Sequence, residues 1–208
     1  MTVRAIVFDL DGTLYVSPRF AAAIQDTAAL YIAGLWGIGH DDARRMMAET
    51  RSRLALELDR EPTLSAVCAE LGGAIRDLHT CFESKLRPES FLARDQRVID
   101  LLERLGTRCD LHLYTNNNRA LTTRILGYLG IEGKFRQICT IDDSWRAKPD
   151  EATITRLLDG AGVEAAEALF VGDRYDVDLR LPEQLGCPVY LSRSIEQLLR
   201  LEELIIRQ

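Results

Sequence analysis

The chain predicts an α/β fold: a parallel sheet with helices on both faces, interrupted by an all-helical segment inserted after the first strand. Three observations carry this expectation. Short apolar or β-branched runs alternate with segments of helical periodicity. The alternation is suspended from residue 15 to residue 90, where no strand pattern occurs. The chain also has 208 residues, 47% hydrophobic and 28% charged, which suits one substantial core carrying a smaller inserted domain. The division predicted is a core of residues 1–14 and 91–208 and a helical lid of residues 15–90.

The first strand is residues 3–8, apolar and short enough to be buried on both faces. The lid follows, with helices predicted over Ala21–Leu35, His40–Leu58, Thr63–Leu71 and Ala74–Leu86; Asp41 or Asp42 is the expected cap of the second. Val98, Ile99, Leu101, Leu102 and Leu105 have helical spacing that stops at Gly106. A strand is expected at Cys109–Tyr114, a helix at Ala120–Leu129 stopping at Gly130, and a strand at Gln137–Thr140. One of Asn116, Asn117 and Asn118 is expected to cap the helix near Arg119. Asp150–Leu158 reads as a helix with Pro149 in its first turn and Gly160 as its stop. Strands at Ala168–Val171 and Pro188–Leu191 and a helix over Ser194–Arg207 complete the alternation.

Composition excludes several classes. A net charge of −6 argues against a nucleic-acid polymer as partner, but leaves room for a small anionic substrate at a locally positive site. No apolar stretch reaches the length of a membrane span, and Arg4 and Asp9 interrupt any signal-peptide pattern. The five cysteines are scattered, with no CxxC spacing, and read as reduced core residues of a cytoplasmic protein. No pattern specifies an oligomeric state. Of 26 Lys and Arg residues only Lys85, Lys134 and Lys148 are lysines, so a lysine with a chemical role is easy to find.

Ligands of open parallel sheets bind at the carboxyl ends of the strands. Here those ends carry Asp9-Leu10-Asp11-Gly12-Thr13, then Tyr114-Thr115-Asn116, then Ala147-Lys148-Pro149, then Gly172-Asp173 through Asp178. A single strand-end Asp is usually a turn or a cap; four such segments in order are not explained that way. Residues two apart on an extended chain face the same side, so Asp9 and Asp11 converge, and Asp173 can join them. Three carboxylates at one spot require a cation. All-oxygen ligands without His or Cys select a hard one, Mg²⁺. Mg²⁺ beside carboxylates and Lys148 makes a phosphate site. Thr115 can donate its hydroxyl to a phosphoryl oxygen, as can backbone N–H groups after Asp9 and near Asn116.

These residues resemble the haloacid dehalogenase-like superfamily, whose motifs read DxDGT, a strand-end Thr or Ser, a Lys before Pro, and GDxxxxD. They correspond to Asp9–Thr13, Thr115, Lys148-Pro149 and Gly172–Asp178, and the position of the helical insertion resembles the helical-cap branch. The resemblance implies a Rossmann-like core and a phosphatase acting on a small phosphorylated metabolite. Asp9 would attack phosphorus to give an aspartyl-phosphate, and Asp11 would act as acid and then base. Mg²⁺ would be held by the Asp9 carboxylate, the Asp11 carbonyl and Asp173. Asp178 would orient a metal-bound water or Lys148. Asp176 either caps the following turn or reaches the metal. Thr115, Asn116 and Lys148 would bind the phosphoryl group, with Asn116 also a candidate contact to the nucleophile. Arg174 would anchor its loop by pairing with a carboxylate.

Rival readings on this scaffold are a phosphomutase, which uses the same motifs, and a non-catalytic binding module, which should have lost Asp9, Asp11 or Lys148. A dehalogenase would lack Asp11, a phosphonate hydrolase would need a lid lysine better placed than Lys85, and a receiver domain would be far shorter. The stretch DLDGTLYVSPRF with HDDARRMMAETR is loosely similar to pyrimidine 5′-nucleotidases. Nucleoside monophosphates, sugar phosphates and phosphoglycolate are therefore candidate substrates. In the lid, Arg44, Arg45, Arg51 and Arg53 read as a solvated face partnered by Glu49 and Glu57, the alternative being contact with a second anionic group. Trp36 packs in the lid or hinge, or stacks on a base. Tyr15 lines the entrance or packs on the lid. His79 is given no role.

Overall fold

The computed structural model describes residues 2–206. Five parallel strands, β1 (Ala5–Phe8), β2 (Asp110–Tyr114), β3 (Gln137–Cys139), β4 (Ala168–Gly172) and β5 (Val189–Leu191), form one sheet in the order β3-β2-β1-β4-β5. The α/β architecture matches the sequence expectation. β1 is the central strand, and all four of its residues are buried. Ile6 pairs with Leu111 on one side and Leu169 on the other, and Phe8 with Leu113 and Val171. Strand alternation sends Ile6 and Phe8 into the main apolar cluster, and Ala5 and Val7 into a second one with Ile154, Leu157 and Phe170.

The chain order reverses at β1, because β2 and β3 extend the sheet to one side and β4 and β5 to the other. This is the switch point at which such sheets open a crevice. The backbone register continues past the strand ends. Asp9 N–H donates to Val171 O at 2.8 Å and Thr115 N–H to Cys139 O at 3.0 Å. The polar residues that follow three different strands are thereby held at one level.

Between β1 and the rest of the sheet run α1 (Pro18–Trp36), α2 (His40–Leu58), α3 (Leu64–Glu70) and α4 (Ile75–Lys85). α1 starts on the Ser17 hydroxyl, which accepts from Phe20 N–H, and ends on Gly37 at φ 63°. It packs against α2 and α4, burying Phe20, Ala28, Ala29 and Ile32 with Ala43, Met47, Leu78 and Phe82. Two details differ from the sequence expectation. Neither Asp41 nor Asp42 caps α2: Gly39 holds that position without a side-chain bond, and Asp42 pairs with Arg45 one turn on. Trp36 is not in the core. It is 55% exposed, with its indole N–H donated to Leu71 O at 2.9 Å. α3 and α4 are bounded by Thr63 and Ala74, and Thr63 does cap α3.

The second half contains α5 (Gln96–Gly106), α6 (Arg119–Leu129), α7 (Glu151–Ala161), α8 (Arg180–Gln184), α9 (Ile195–Leu199) and α10 (Leu201–Ile206). α7 is shifted relative to expectation. Asp150 is its cap, with its carboxylate accepting from Thr153 N–H, so Pro149 lies ahead of the helix, and Gly160 lies inside it. Gly162, at φ 65°, is the stop. The C-terminal periodicity resolves into two short helices, because Arg200 closes the first with its N–H on Gln197 O. Both buried leucines, Leu198 and Leu201, still reach the core. Arg207 lies outside the described residues. The five cysteines are free.

Asn118 is the asparagine that caps α6. Its Oδ1 accepts from Leu121 N–H at 2.8 Å, while its Nδ2 donates to His79 O on α4, also at 2.8 Å. One side chain thus starts a core helix and ties it to the insertion. Replacing Asn118 with Ala is expected to cost about 1–2 kcal/mol in urea unfolding, and Asn118→Asp, which keeps only the acceptor, to cost less. Equal midpoints for all three proteins would contradict this role.

Candidate active site

Leu10 and Leu14 are buried beneath the loop after β1, which puts Asp9 and Asp11 on its other side. The turn closes through Leu14 N–H to Leu10 O and Gly12 N–H to Tyr15 O, both 3.0 Å. Gly12 sits at φ 92°, and a Cβ there would lie 2.4 Å from Asp173 Oδ2. Only glycine lets the two loops approach this closely. Gly172 plays the same part at the end of β4, where a Cβ would meet Asp178 Cβ at 2.4 Å. The chain then makes a wide π turn over Tyr175–Leu179, which brings Asp178 back over the strand end.

Lys148 joins these segments. It is 3% exposed, and its Nζ donates to Asp9 Oδ1 at 2.7 Å and Asp178 Oδ1 at 3.0 Å. Its N–H donates to Asn116 Oδ1 at 2.8 Å, and its ammonium lies 4.8 Å from the centre of the Tyr114 ring. Burial alone would pull this ammonium's pKa down, but Asp178 and Asp9 outweigh it and hold the pKa above the ordinary lysine range. The other Asp9 oxygen, Oδ2, accepts from Thr13 Oγ at 3.2 Å, and the second Asp178 oxygen from Arg174 N–H at 3.1 Å.

The carboxylates are crowded. Asp9, Asp173 and Asp178 each offer an oxygen, and these oxygens lie within 4.8 Å of one another. Burial and then the neighbouring charge of Asp178 raise Asp9; burial and then Asp9 and Asp178 push Asp173 up to about 7. Asp173 Oδ1 is buried without a hydrogen-bond partner, and its nearest cation is Arg174 Nε at 3.7 Å. An unpartnered buried oxygen amid mutually repelling carboxylates fits a divalent cation. The third carboxylate of this group is Asp178, whereas Asp11 turns its carboxylate elsewhere. Asp11 accepts from the Tyr15 hydroxyl on Oδ1 and from Asn117 Nδ2 on Oδ2, the latter at 2.7 Å. Burial and the Asp9 charge push Asp11 up to about 6. Asp176 stands outside the group, 3.4 Å from Arg180.

The remaining residues singled out in the sequence divide into those at this centre and those away from it. Thr115 is buried beside it, its Oγ accepting from Asn117 N–H at 3.1 Å. Asn116 holds the Lys148 backbone rather than touching Asp9. Of the lid arginines, Arg44 pairs with Asp26, Arg45 with Asp42, and Arg53 with Glu57 and Glu70. Glu57 is a partner as expected; Glu49 appears in none of these pairs. Sequence reading gives Thr13 no role beyond its motif, leaves Tyr15 between the entrance and the lid, and offers Asn117 only as a possible helix cap. Tyr15 and Asn117 had signals, one falling four residues after Asp11 and the other beside Thr115, but only the folded loops show that both aim at Asp11.

A cavity of about 240 Å³ lies between this centre and the insertion. Asp11, Asn116, Asn117, Asp173 and Arg174 form its floor, with Asp9 just beneath at 4% exposure. Gln25, Ser65, His79 and Phe82 are among the residues that roof it. A larger cavity of about 410 Å³, between residues 14–17 and 91–99, has no comparable set of carboxylates. His79, given no role from sequence, is buried in the roof, with Nε2 3.5 Å from Ser65 Oγ, Nδ1 unpartnered and the Phe82 ring edge-on at 5.3 Å.

Comparisons with known proteins place the chain in a family. Residues 3–186 match a model of the haloacid dehalogenase-like hydrolases. A curated relative, the phosphoglycolate phosphatase of Yersinia pestis, is 30% identical over 89% of this chain and 79% of its own length. Among solved structures, a HAD phosphatase from Thermococcus onnurineus superposes with a TM-score of 0.66 at 20% identity, over 98% of both chains. A 2-haloacid dehalogenase from Pseudomonas syringae pv. Tomato DC3000 does so at 0.64 and 20% identity, over 99% of both chains. At this distance the structural likeness establishes the fold only.

Burial drives the His79 imidazole from its ordinary 6.5 down to about 4. The neutral ring is the form the fold favours, so its contribution to stability is intact above pH 6.5 and is lost as pH falls toward 4. The urea midpoint of the wild type is expected to fall further between pH 7 and pH 4.5 than that of His79→Gln. Parallel falls would contradict a buried neutral imidazole.

Proposed function

From the premise that the chain belongs to the haloacid dehalogenase-like hydrolases, we propose that it is a Mg²⁺-dependent phosphatase hydrolysing a small phosphomonoester through an aspartyl-phosphate. The observation that carries this reading is the buried Lys148 ammonium bridging Asp9 and Asp178, beside Asp173 and with Asp11 alongside. In this reading, residues 1–14 and 91–208 form the catalytic core and residues 15–90 a lid that excludes water during the first step.

The Asp9 carboxylate attacks phosphorus; the P–O bond to the leaving group breaks and Asp11 delivers its proton to the departing oxygen. Water then attacks phosphorus, Asp11 takes its proton, and the acyl-phosphate bond breaks to release inorganic phosphate and restore Asp9. The raised pKa of Asp11, about 6, suits a group that must give and then take a proton near neutrality. Tyr15 and Asn117 hold its two oxygens in place. Lys148, Thr115 and backbone N–H groups at the strand ends stabilise charge on the transferring group. Asp9, Asp173 and the Asp11 carbonyl are the proposed Mg²⁺ ligands, and Asp178 orients Lys148. Bound Mg²⁺ would offset the carboxylate charge and polarise the phosphoryl oxygens.

The acid at position 11 favours phosphoryl transfer over dehalogenation. A phosphomutase would share every residue named, and it is separated by stoichiometric release of inorganic phosphate, which only the hydrolase gives. Of the candidate substrates, phosphoglycolate is the one that the relatives' name supports, beside nucleotides and sugar phosphates.

With para-nitrophenyl phosphate, turnover is expected to stop in EDTA and return with Mg²⁺; turnover that survives complete metal removal would count against the metal. Asp9→Asn is expected to abolish turnover. Asp11→Asn is expected to lower kcat by about 10²–10⁴-fold with little change in KM, and an unchanged kcat would remove its acid–base role.

A further inference from the structure

We infer that Tyr114 is a positioning residue for Lys148: the face of its ring is a third partner of the buried ammonium, one that keeps its hold when Asp9 gives up its charge to the substrate. This rests on the phosphatase reading and extends it to a residue outside the four motifs.

The ring is there because of strand alternation. Leu111 and Leu113 of β2 turn into the main apolar cluster, and Tyr114 turns to the opposite face with Ile154, Leu157 and Phe170. It is buried, the last residue of β2, and level with Cys139 on β3. Valine, isoleucine or leucine is the ordinary occupant of such a place in a parallel strand. Tyrosine adds a flat, electron-rich face. That face lies 4.8 Å from Lys148 Nζ, inside the range in which a ring attracts a cation. Burial pushes the Tyr114 phenol up to about 12, so the ring is neutral at working pH. The attraction is that of a π face and not of a phenolate.

An ammonium carries three N–H groups. Lys148 donates to Asp9 Oδ1 at 2.7 Å and to Asp178 Oδ1 at 3.0 Å, and among the described residues no third acceptor hydrogen-bonds its Nζ. A cation at this depth needs every partner it has, and an aromatic face is worth more to it there than at a wet surface. In the proposed reaction the partners do not stay equal. When Asp9 attacks phosphorus its carboxylate becomes an acyl phosphate, and the charge it carried passes to the phosphoryl oxygens. Asp178 and the Tyr114 face are then the fixed partners of the ammonium. Holding Nζ through that change acts on turnover more than on substrate binding.

The test replaces Tyr114 with phenylalanine and with phenylalanines carrying one, two and three ring fluorines. Fluorine drains electron density from the ring face, changes its size little and makes it more apolar. Tyr114→Phe is expected to stay close to wild type. Along the fluorinated series kcat for para-nitrophenyl phosphate should fall stepwise, to about tenfold below Tyr114→Phe with three fluorines, with KM little changed. The urea midpoint should fall in the same order. A ring that only fills space would give midpoints that stay level or rise with fluorine, and that result would overturn the contact. A kcat independent of fluorine number would overturn the positioning role. Absence of turnover in every form, wild type included, would end the phosphatase reading, and the midpoints, which need no substrate, would still decide whether the ring holds the ammonium.

Discussion

One buried ammonium organises this molecule. Lys148 lies between Asp9 and Asp178 with almost no access to solvent. An isolated charge at such depth is expensive, and so is a pair of carboxylates without a cation. Each group is tolerated because the others are present. The arrangement demands that segments more than a hundred residues apart meet to within hydrogen-bond distance, and the rest of the fold can be understood as meeting that demand.

The sheet meets it by register. With β1 central and fully buried, the ends of β2 and β4 fall level with its own, and the hydrogen bonds of Asp9 and Thr115 carry that register one residue further. Glycine at positions 12 and 172 then removes the side chains that would keep the loops apart. The result is an excess of negative charge over positive at one spot. Burial first, and that excess second, push Asp11 up to about 6 and Asp173 up to about 7, and an Asp173 oxygen is left unpartnered, an arrangement that suits a bound cation.

The insertion contributes differently. Arg44, Arg45 and Arg53 of the insertion are held in ion pairs, and the residues it gives to the cavity are apolar or neutral-polar. The division of labour is therefore physical. In the proposed function the core would supply the field that acts on a phosphoryl group, and the roof the shape around its leaving group. Asn118 couples the two by serving as a helix cap on one side and a donor to α4 on the other.

The fold class, and the placing of Asp9, Lys148, Asp173 and Asp178 at one edge of the sheet, were legible in the sequence because both are written in local signals. Strand-length apolar runs, helix stops and charged strand ends each occupy a few adjacent residues, and a parallel sheet places all such ends on one edge. Where competing local signals are nearly equal, sequence does not separate them: Gly160 and Gly162 both suit the stop that Gly162 provides, and Asp41 or Asp42 suits the α2 cap position that Gly39 occupies. The pairings across the site were not legible. That Asn117 and Tyr15 hold Asp11, that Asp178 rather than Asp11 gathers with Asp9 and Asp173, and that His79 roofs the cavity all depend on distances between segments remote in the chain. Residue type and spacing determined which groups this protein would bring to one edge; only packing of the sheet, the π turn and the insertion decided which atoms touch, because side-chain contacts are set by three-dimensional register and no local pattern encodes it.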